Sequence, residues 1–347
     1  MAEPTTRSST GGATIHDIAR LAGVSTASVS RALNGRPGVS ATTRAAIEEI
    51  AAAHRFIGNV TARALSMGRH GRVAVMLPQV APEYFARILA GANQVFYAER
   101  QSMTLTTTEH SLDRERQVVD SMSHSAIDGA LMLLPRESLA ELAALQRNGF
   151  PFVVVDPEEP IDFPSPWITC THVAGARQAA QHLVDLGHRR IGAIGWGHKV
   201  LATGDRVHGL RQVLDRAGIA LDESLMRYAD HAERADGYVV ASELLDSDDP
   251  PTAIFALNDN LAFGVLRAAS HRGIDVPGQL SVVGFDDLET ASLVTPMLTT
   301  VHQPLQEMGA YAARVLLRWI GGDAPPAMHI QLPTELVVRE STGPAPR

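Results

Sequence analysis

The sequence predicts a chain in two parts. An N-terminal all-α helix-turn-helix head with a short hinge helix precedes an α/β body of two parallel-sheet lobes. Three observations predict it. The first 70 residues hold eight arginines against four acidic residues, a net of +4, which leaves -12 for the rest of a chain whose total is -8. From Val73 onward, apolar runs of strand length alternate with amphipathic helical segments, the pattern of parallel sheets covered by helices. That alternation lasts for about 270 residues, long for one sheet, so it divides into two lobes.

Residues 1–13 are polar and rich in Gly, Ser and Thr, the composition of a disordered tail. Thr14 opens a first helix as N-cap, with Asp17 three residues on as its capping-box partner. Ile18, Leu21 and Ala22 are expected on its inner face, and Gly23 ends it in a tight turn. Ser25 caps a second helix, in which Val29 and Leu33 share a face and join Val24 in the core of the head. Asn34-Gly35-Arg36-Pro37-Gly38 is turn chemistry. Ser40 caps a third helix that turns Ile47 and Ile50 inward and ends near His54. Two short helices joined by a glycine turn and braced by a third make a helix-turn-helix domain over residues 14–57. Residues 58–70 follow as the hinge; the one helix they allow, in NVTARALSMG, is too short to stand alone.

In the body, residues 71–347, apolar runs at 73–77, 103–108, 129–133, 152–155, 191–195, 253–257 and 280–285 are expected strands. They show no polar alternation, as befits strands buried on both faces. The segments 83–99, 112–124, 137–148, 174–186, 206–217, 235–246 and 260–272 are the expected helices. Ligands of such sheets bind at the carboxyl ends of the strands.

The totals bound the function. A 45% hydrophobic, 20% charged composition is that of a soluble globular protein. The single cysteine, Cys170, excludes a disulfide framework and points to a reducing compartment. No signal-peptide core opens the chain and no run of about 18 apolar residues follows, so a cytoplasmic protein without membrane contact is expected. Enzyme signatures are missing: there is no GxSxG, no Walker A loop and no zinc-ligand cluster. His182 and His188 are six apart, wrong for a helical metal pair, and Gly192–Gly197 lacks GxGxxG spacing. Cys170 has no activating partner in sequence and reads as an inert buried thiol. No cofactor or metal is called for. The second helix, VSTASVSRALN, instead gathers short hydroxyls around one guanidinium, which suits a duplex: hydroxyls for phosphates and an arginine for a guanine edge.

The stretch "TIHDIARLAGVSTASVSRALNGRPGVSATTRAAIEEIAAAHRFIGN" resembles the DNA-binding head of the lactose-repressor (LacI-type) family of bacterial transcription regulators. The body agrees through "LVDLGHRRIGAIG", "DRVHGL", "FALNDNLAFGVLRA", "VPGQLSVVGFDD" and "TPMLTTVHQPLQEMG". The resemblance runs from residue 14 to about 340. It implies a body shaped like a periplasmic sugar-binding protein, with an effector between lobes joined by three crossovers. Projected here, the first lobe is about 71–168 with 300–328, and the second about 169–299 with 330–340.

The same resemblance implies roles residue by residue. Thr26, Ala27 and Arg31 fall on base-reading positions of a helix in the major groove. Arg31 pairs bidentately with guanine, worth roughly 1–3 kcal/mol of discrimination, and Ala27 meets a thymine methyl. Ser25, Ser28, Ser30 and Asn34 suit phosphates. In the hinge, Asn59 is a further DNA-binding position, Ala62 would face the partner hinge, Arg63 reach phosphate and Leu65 wedge a central minor-groove step. Gly58 stands where the family has proline, which makes hinge ordering depend more on DNA. Effector positions fall on Asp156, Arg206, Asn258 and Asp286, with Gln303 on a crossover and Tyr84, Phe85 and Trp196 as aromatic candidates for a sugar face. Asn258 and Asp286 are also suited to capping a helix or bracing the lobes. Thr171-His172 stands where relatives have Asp-Asn, and Leu133 replaces a polar residue of the lactose regulator, so that regulator's ligand does not transfer.

The expected function is a sequence-specific transcriptional regulator, a repressor of a carbohydrate-utilisation operon, released from operator DNA by a sugar-like effector. A palindromic operator requires a homodimer, and the C-terminal ELVVRESTGPAPR has no heptads for a larger assembly. Two alternatives use the same residues: the effector as corepressor, for example a nucleobase, and a sugar-binding protein with a vestigial head.

Overall fold

The structure, a computed structural model, describes residues 13–33, 37–54, 56, 70–80, 82–122, 125–135, 139–197 and 200–346. Its contacts divide the chain into two compact units, Met1–His70 and Gly71–Arg347.

The head has three helices: α1 (Ile15–Ala22), α2 (Thr26–Leu33) and α3 (Ala41–Ala53). The capping box closes α1, with Asp17 N–H donating to Thr14 Oγ1 (3.3 Å) and Thr14 N–H to Asp17 Oδ2 (3.0 Å). Gly23 terminates it at φ +64°, a left-handed conformation that costs glycine least. Ser25 and Ser40 accept from Ser28 N–H and Thr43 N–H, each at 3.1 Å, and so start the next two helices. Ile18, Ala19, Val29, Ala32 and Ile47 form the buried core, with Val24, Leu33 and Ile50 packed on it. Leu21 corrects the sequence reading, for it is 50% exposed. The inner stripe of α1 runs through Ile15, Ile18, Ala19 and Ala22, an i, i+3, i+4, i+7 face that turns Leu21 outward.

The body begins with β1 (Arg72–Leu77), α4 (Glu83–Ala98), β2 (Ser102–Thr107), α5 (Leu112–Met122), β3 (Gly129–Leu133), α6 (Leu139–Arg147), β4 (Phe152–Val155) and β5 (Trp167–Cys170). It continues through α7 (His172–Asp185), β6 (Ile191–Trp196), α8 (Leu201–Arg216), β7 (Met226–Ala229), α9 (Arg234–Leu245), β8 (Ala253–Ala256), α10 (Asp259–His271) and β9 (Ser281–Asp286). It ends with β10 (Thr299–His302), α11 (Leu305–Ile320), β11 (His329–Leu332) and β12 (Glu335–Val337). One sheet has the order β11-β5-β4-β3-β1-β2 and the other β12-β10-β9-β8-β6-β7. The first is parallel throughout; in the second only β10–β12 is antiparallel.

The chain crosses between these sheets at Thr171, between His302 and Leu305, and between Leu332 and Glu335. These crossings fall a few residues later than the sequence placed them. β10 pairs with β9 as far as His302 opposite Asp286, which keeps residues 299–302 in the second lobe. β11 pairs with β5 as far as Leu332 opposite Cys170, which keeps it in the first. Helix α11 packs against α4 and the first sheet. The two helices touch backbone to backbone at Gly91 and Gly309: a Cβ on either would lie within 2 Å of the other helix, 1.8 Å from Gln306 O and 1.9 Å from Ile88 O respectively. No described helix is long and apolar enough to cross a membrane.

Candidate functional site

A cleft of about 380 Å³ opens at the carboxyl ends of strands from both sheets. Tyr84 and Phe85 reach it from the first turn of α4, Asp156 from the end of β4 and Trp196 from the end of β6. Arg206 enters from α8, Asn258 from the start of α10 and Asp286 from the end of β9. Seven of the eight expected effector residues therefore share one cavity. The eighth, Gln303, is fully buried beneath it and does not line it. Gln303 Nε2 donates to Asp286 Oδ1 at 2.6 Å, and its Oε1 accepts from Cys170 Sγ at 3.0 Å. Gln303 lies where the chain changes sheets between His302 and Leu305, beneath the cleft.

The backbone is strained where the cavity is made. Seven described non-glycine residues have positive φ, and five of them line the cleft: Glu109, His110, Leu134, Asp156 and Asp286. All five lie at or just beyond the ends of β2, β3, β4 or β9, where main chain must turn out of a parallel sheet. Such conformations cost about 1–3 kcal/mol each and cluster at binding sites.

The polar floor is one connected network. Tyr84 O–H donates to Asp156 Oδ2 at 2.7 Å, and the Thr169 hydroxyl donates to Asp156 Oδ1 at 2.6 Å. His172 Nε2 lies 3.0 Å from the same Oδ1. Burial alone would push the Asp156 carboxyl up; the donors gathered on it, His172, Thr169 and Tyr84, act against burial and hold it well below the ordinary carboxylate range. Arg206 is 2% exposed, its guanidinium carbon 3.9 Å from the Phe285 ring centroid and 5.5 Å from that of Trp196. It donates to the Leu257 carbonyl and, at 3.3 Å, to His172 Nδ1. Asp286 lies 3.9 Å from Arg206, and burial pushes its carboxyl well up despite that cation, with Asp259 adding to the push. Asn258 does two things: it lines the cleft and caps α10, accepting from Leu261 N–H at 2.7 Å.

Sequence reasoning missed His172 and Thr169 as parts of this floor. The Thr171-His172 dipeptide stood out only as a departure; its contacts come from elements brought together by the crossings.

In the head, Arg31 and Ala27 lie four apart on the exposed face of α2, while Thr26, Ser28 and Ser30 are half-buried and Ser25 is exposed. Ser25 and Ser28 share a hydroxyl–hydroxyl contact of 3.0 Å. Asn34, Asn59, Ala62, Arg63 and Leu65 lie outside the described residues. Among the described residues, no cluster of three or more His, Cys, Asp or Glu could hold a metal ion.

A helix-turn-helix head and an α/β body with a ligand-sized cleft are the two parts that a ligand-responsive DNA-binding protein needs. The model of bacterial regulatory proteins of the lacI family matches residues 14–59, and that of the periplasmic binding protein-like domain matches 180–342. The chain is 33% identical over 334 residues to the HTH-type transcriptional regulator DegA of Bacillus subtilis (strain 168), across 95% of this chain and 98% of that one. Its structure is similar to the Lac repressor dimer bound to operator and the anti-inducer ONPF, with a TM-score of 0.86 and 26% identity over 96% of this chain and 100% of that one. The transcriptional regulator CelR–cellobiose complex gives a TM-score of 0.72 and 30% identity over 95% and 99%. The chain belongs to the LacI family of bacterial regulatory proteins. It is a transcriptional regulator, as those relatives are, and not an enzyme.

Proposed function

We propose that the protein is a cytoplasmic repressor of a carbohydrate-utilisation operon, bound as a homodimer to a palindromic operator and released by a polyhydroxylated effector held in the cleft. The observation that carries this reading is the cleft itself. Carboxylates, an amide and aromatic faces converge there from both lobes, the combination that pairs sugar hydroxyls and covers an apolar sugar face. The likeness to a regulator solved with cellobiose supports the ligand class. A ligand that prefers one lobe arrangement shifts the population toward it, and the heads then lose cooperative binding.

In the same reading, Arg31 and Ala27 read base edges, Thr26 joins them, and Ser25, Ser28, Ser30 and Asn34 hold phosphates. Asn59, Ala62, Arg63 and Leu65 form the minor-groove hinge. The body divides into a first lobe of about 71–170 with 305–332 and a second of the remainder. The test is a gel shift with DNA from the protein's own promoter, at two salt concentrations, with and without cellobiose, D-galactose and D-ribose. A specific, salt-sensitive complex released by a sugar is expected. Absence of any specific complex would refute the regulator reading of the head, and a sugar that tightens the complex would reverse the sign of control.

A further inference from the structure

His172 is the first residue of α7, set just after the chain crosses from the first lobe to the second, and it is 4% exposed. It lies beneath the cleft rather than in its lining. Every element around its ring brings a polar or charged group. Asp156 comes from the end of β4, with Tyr84 of α4 behind it, and Thr169 and Cys170 come from β5. Asp205 and Arg206 come from α8, and Asp286 follows Phe285 of β9, whose ring centroid is 5.9 Å away.

The two ring nitrogens face opposite demands. Nδ1 accepts from Arg206 Nε at 3.3 Å and lies 3.2 Å from Arg206 Nη2. A guanidinium has N–H groups only, so Nδ1 must present its lone pair. The ring proton is then on Nε2, 3.0 Å from Asp156 Oδ1. A proton on Nδ1 would set N–H against N–H, and protonation of both nitrogens would also bring two cations together in a buried site. Thr169 fits this assignment, since its hydroxyl is committed to Asp156 Oδ1.

We propose that His172 is a positioning residue of the effector site: a neutral imidazole that fixes Asp156 of the first lobe and Arg206 of the second by donating to one and accepting from the other. The assignment rests on reading the cleft as the effector site. Arg206 has little positional freedom there, because Leu257 O and His172 direct its guanidinium while Phe285 and Trp196 lie against it. An effector that meets Asp156 and Arg206 therefore meets them at a spacing set by one side chain at the first crossing.

The first test needs no ligand. In the full chain labelled with ¹⁵N-histidine, long-range ¹⁵N–¹H spectra at pH 7 report the tautomer, with His172 identified by its absence from His172→Gln. A neutral ring protonated on Nε2 is expected; an imidazolium, or a proton on Nδ1, overturns the proposal. The second test uses Trp196 as the sole indole, after Trp167→Phe and Trp319→Phe. Glutamine keeps one acceptor and one donor, and leucine keeps neither. His172→Gln should leave Trp196 emission as in the parent, and His172→Leu should shift it as Arg206 moves. Equal loss of melting temperature with Trp196 unmoved in both would show a merely structural residue and overturn the proposal. Last, any of cellobiose, D-galactose and D-ribose that raises the parent melting temperature should bind within about 3-fold in the glutamine variant and more than about 10-fold weaker in the leucine variant. Equal weakening counts against positioning. Failure of all three sugars to bind would tell against the sugar reading of the cleft, while the first two readouts still decide the role of His172.

Discussion

Arg87 of the first lobe donates to the Asp287 carbonyl of the second at 2.7 Å, and Asp287 is the next residue after the cleft carboxylate Asp286. Both aspartates have positive φ, 134° and 54°, so the segment has little slack. Glu83, one turn before Arg87 on α4, accepts from the Glu289 main chain and, at 3.0 Å, from the Thr290 hydroxyl. The Asp287 carboxylate is held in turn by Arg339 at 2.6 Å and His302 at 2.9 Å. The loop that leaves the cleft is thus clamped to the opposite lobe. Arg87→Ala should remove one charged donor, worth about 1–2 kcal/mol at this half-buried position. Faster amide exchange over residues 287–291 is expected, with the rest of the second sheet unchanged; uniform exchange would show that the clamp is not local.

Arg31→Ala should abolish base preference and spare nonspecific binding. The side chain is exposed on α2, so the fold does not need it. A lost bidentate guanine contact costs roughly 1–3 kcal/mol, about 5- to 150-fold in specific affinity. Competition between operator and random-sequence DNA checks it, and an unchanged ratio would remove Arg31 from the reading helix.

Two glycines of the body should behave oppositely when replaced. Gly309→Ala forces a Cβ to within 1.9 Å of Ile88 O at the α4–α11 crossing, where backbone and not a flexible tip must move. A loss of about 3 kcal/mol or more is expected. Gly204 is inside α8 with nothing within 4 Å of its Cβ position. Gly204→Ala should therefore stabilise by roughly 0.5–1 kcal/mol, through helix propensity alone. Thermal unfolding of the two variants separates packing from propensity.

Asp259 sets a pH dependence of stability. It accepts from Leu288 N–H at 2.8 Å and from Thr300 Oγ1 at 2.5 Å, and burial nonetheless pushes its carboxyl from 3.8 up to about 7. Between those values the folded state holds a proton that the unfolded state has lost, so stability falls as pH rises through the window. Asp286 is pushed up by burial too and has the same sign. Asp156 is held down and acts oppositely: its contribution is present above its ordinary value and lost only in more acidic solution. Burial holds His182, His188 and His329 below their ordinary value, which acts with the opposite sign over the same range, so the readout is the difference between variants. From pH 5 to pH 7.5 the urea midpoint of Asp259→Asn should lose ground to pH less than the wild type does, by a few kcal/mol at most. Parallel pH profiles for the two proteins would contradict the burial argument.

What the sequence disclosed was what periodicity and local chemistry encode. The long apolar strands and the caps at Thr14, Ser25 and Ser40 were legible because each is decided within a few residues. The strands WITC, MRYA, TTVH, HIQL and ELV were not, since they are three or four residues long and partly polar; only their sheet neighbours make them strands. The cleft residues were found through the resemblance, and their convergence at strand ends follows from parallel topology. Beneath them the limit is sequence separation: Tyr84 reaches Asp156 across 72 residues and Cys170 reaches Gln303 across 133. No local pattern marks such a pair, which is why Gln303 was expected in the cleft and His172 was not expected in its support.

Asp286→Asn isolates the effector response from the fold. The carboxyl accepts from Gln303 Nε2 at 2.6 Å, and an asparagine oxygen preserves that bond. Because burial favours the neutral carboxyl, the amide costs little stability at neutral pH. What changes is the face toward the cleft: a carboxyl offers a hydroxyl donor or a second acceptor, and an amide offers a fixed N–H pair. A ligand hydroxyl matched to the one is mismatched to the other, with an unpaired buried group costing about 1–3 kcal/mol. Operator affinity without ligand should stay within about 2-fold of wild type, and the sugar concentration for half release should rise by about 5- to 150-fold. A normal dose response measured by operator fluorescence anisotropy would show that Asp286 braces the floor through Gln303 and does not touch the ligand.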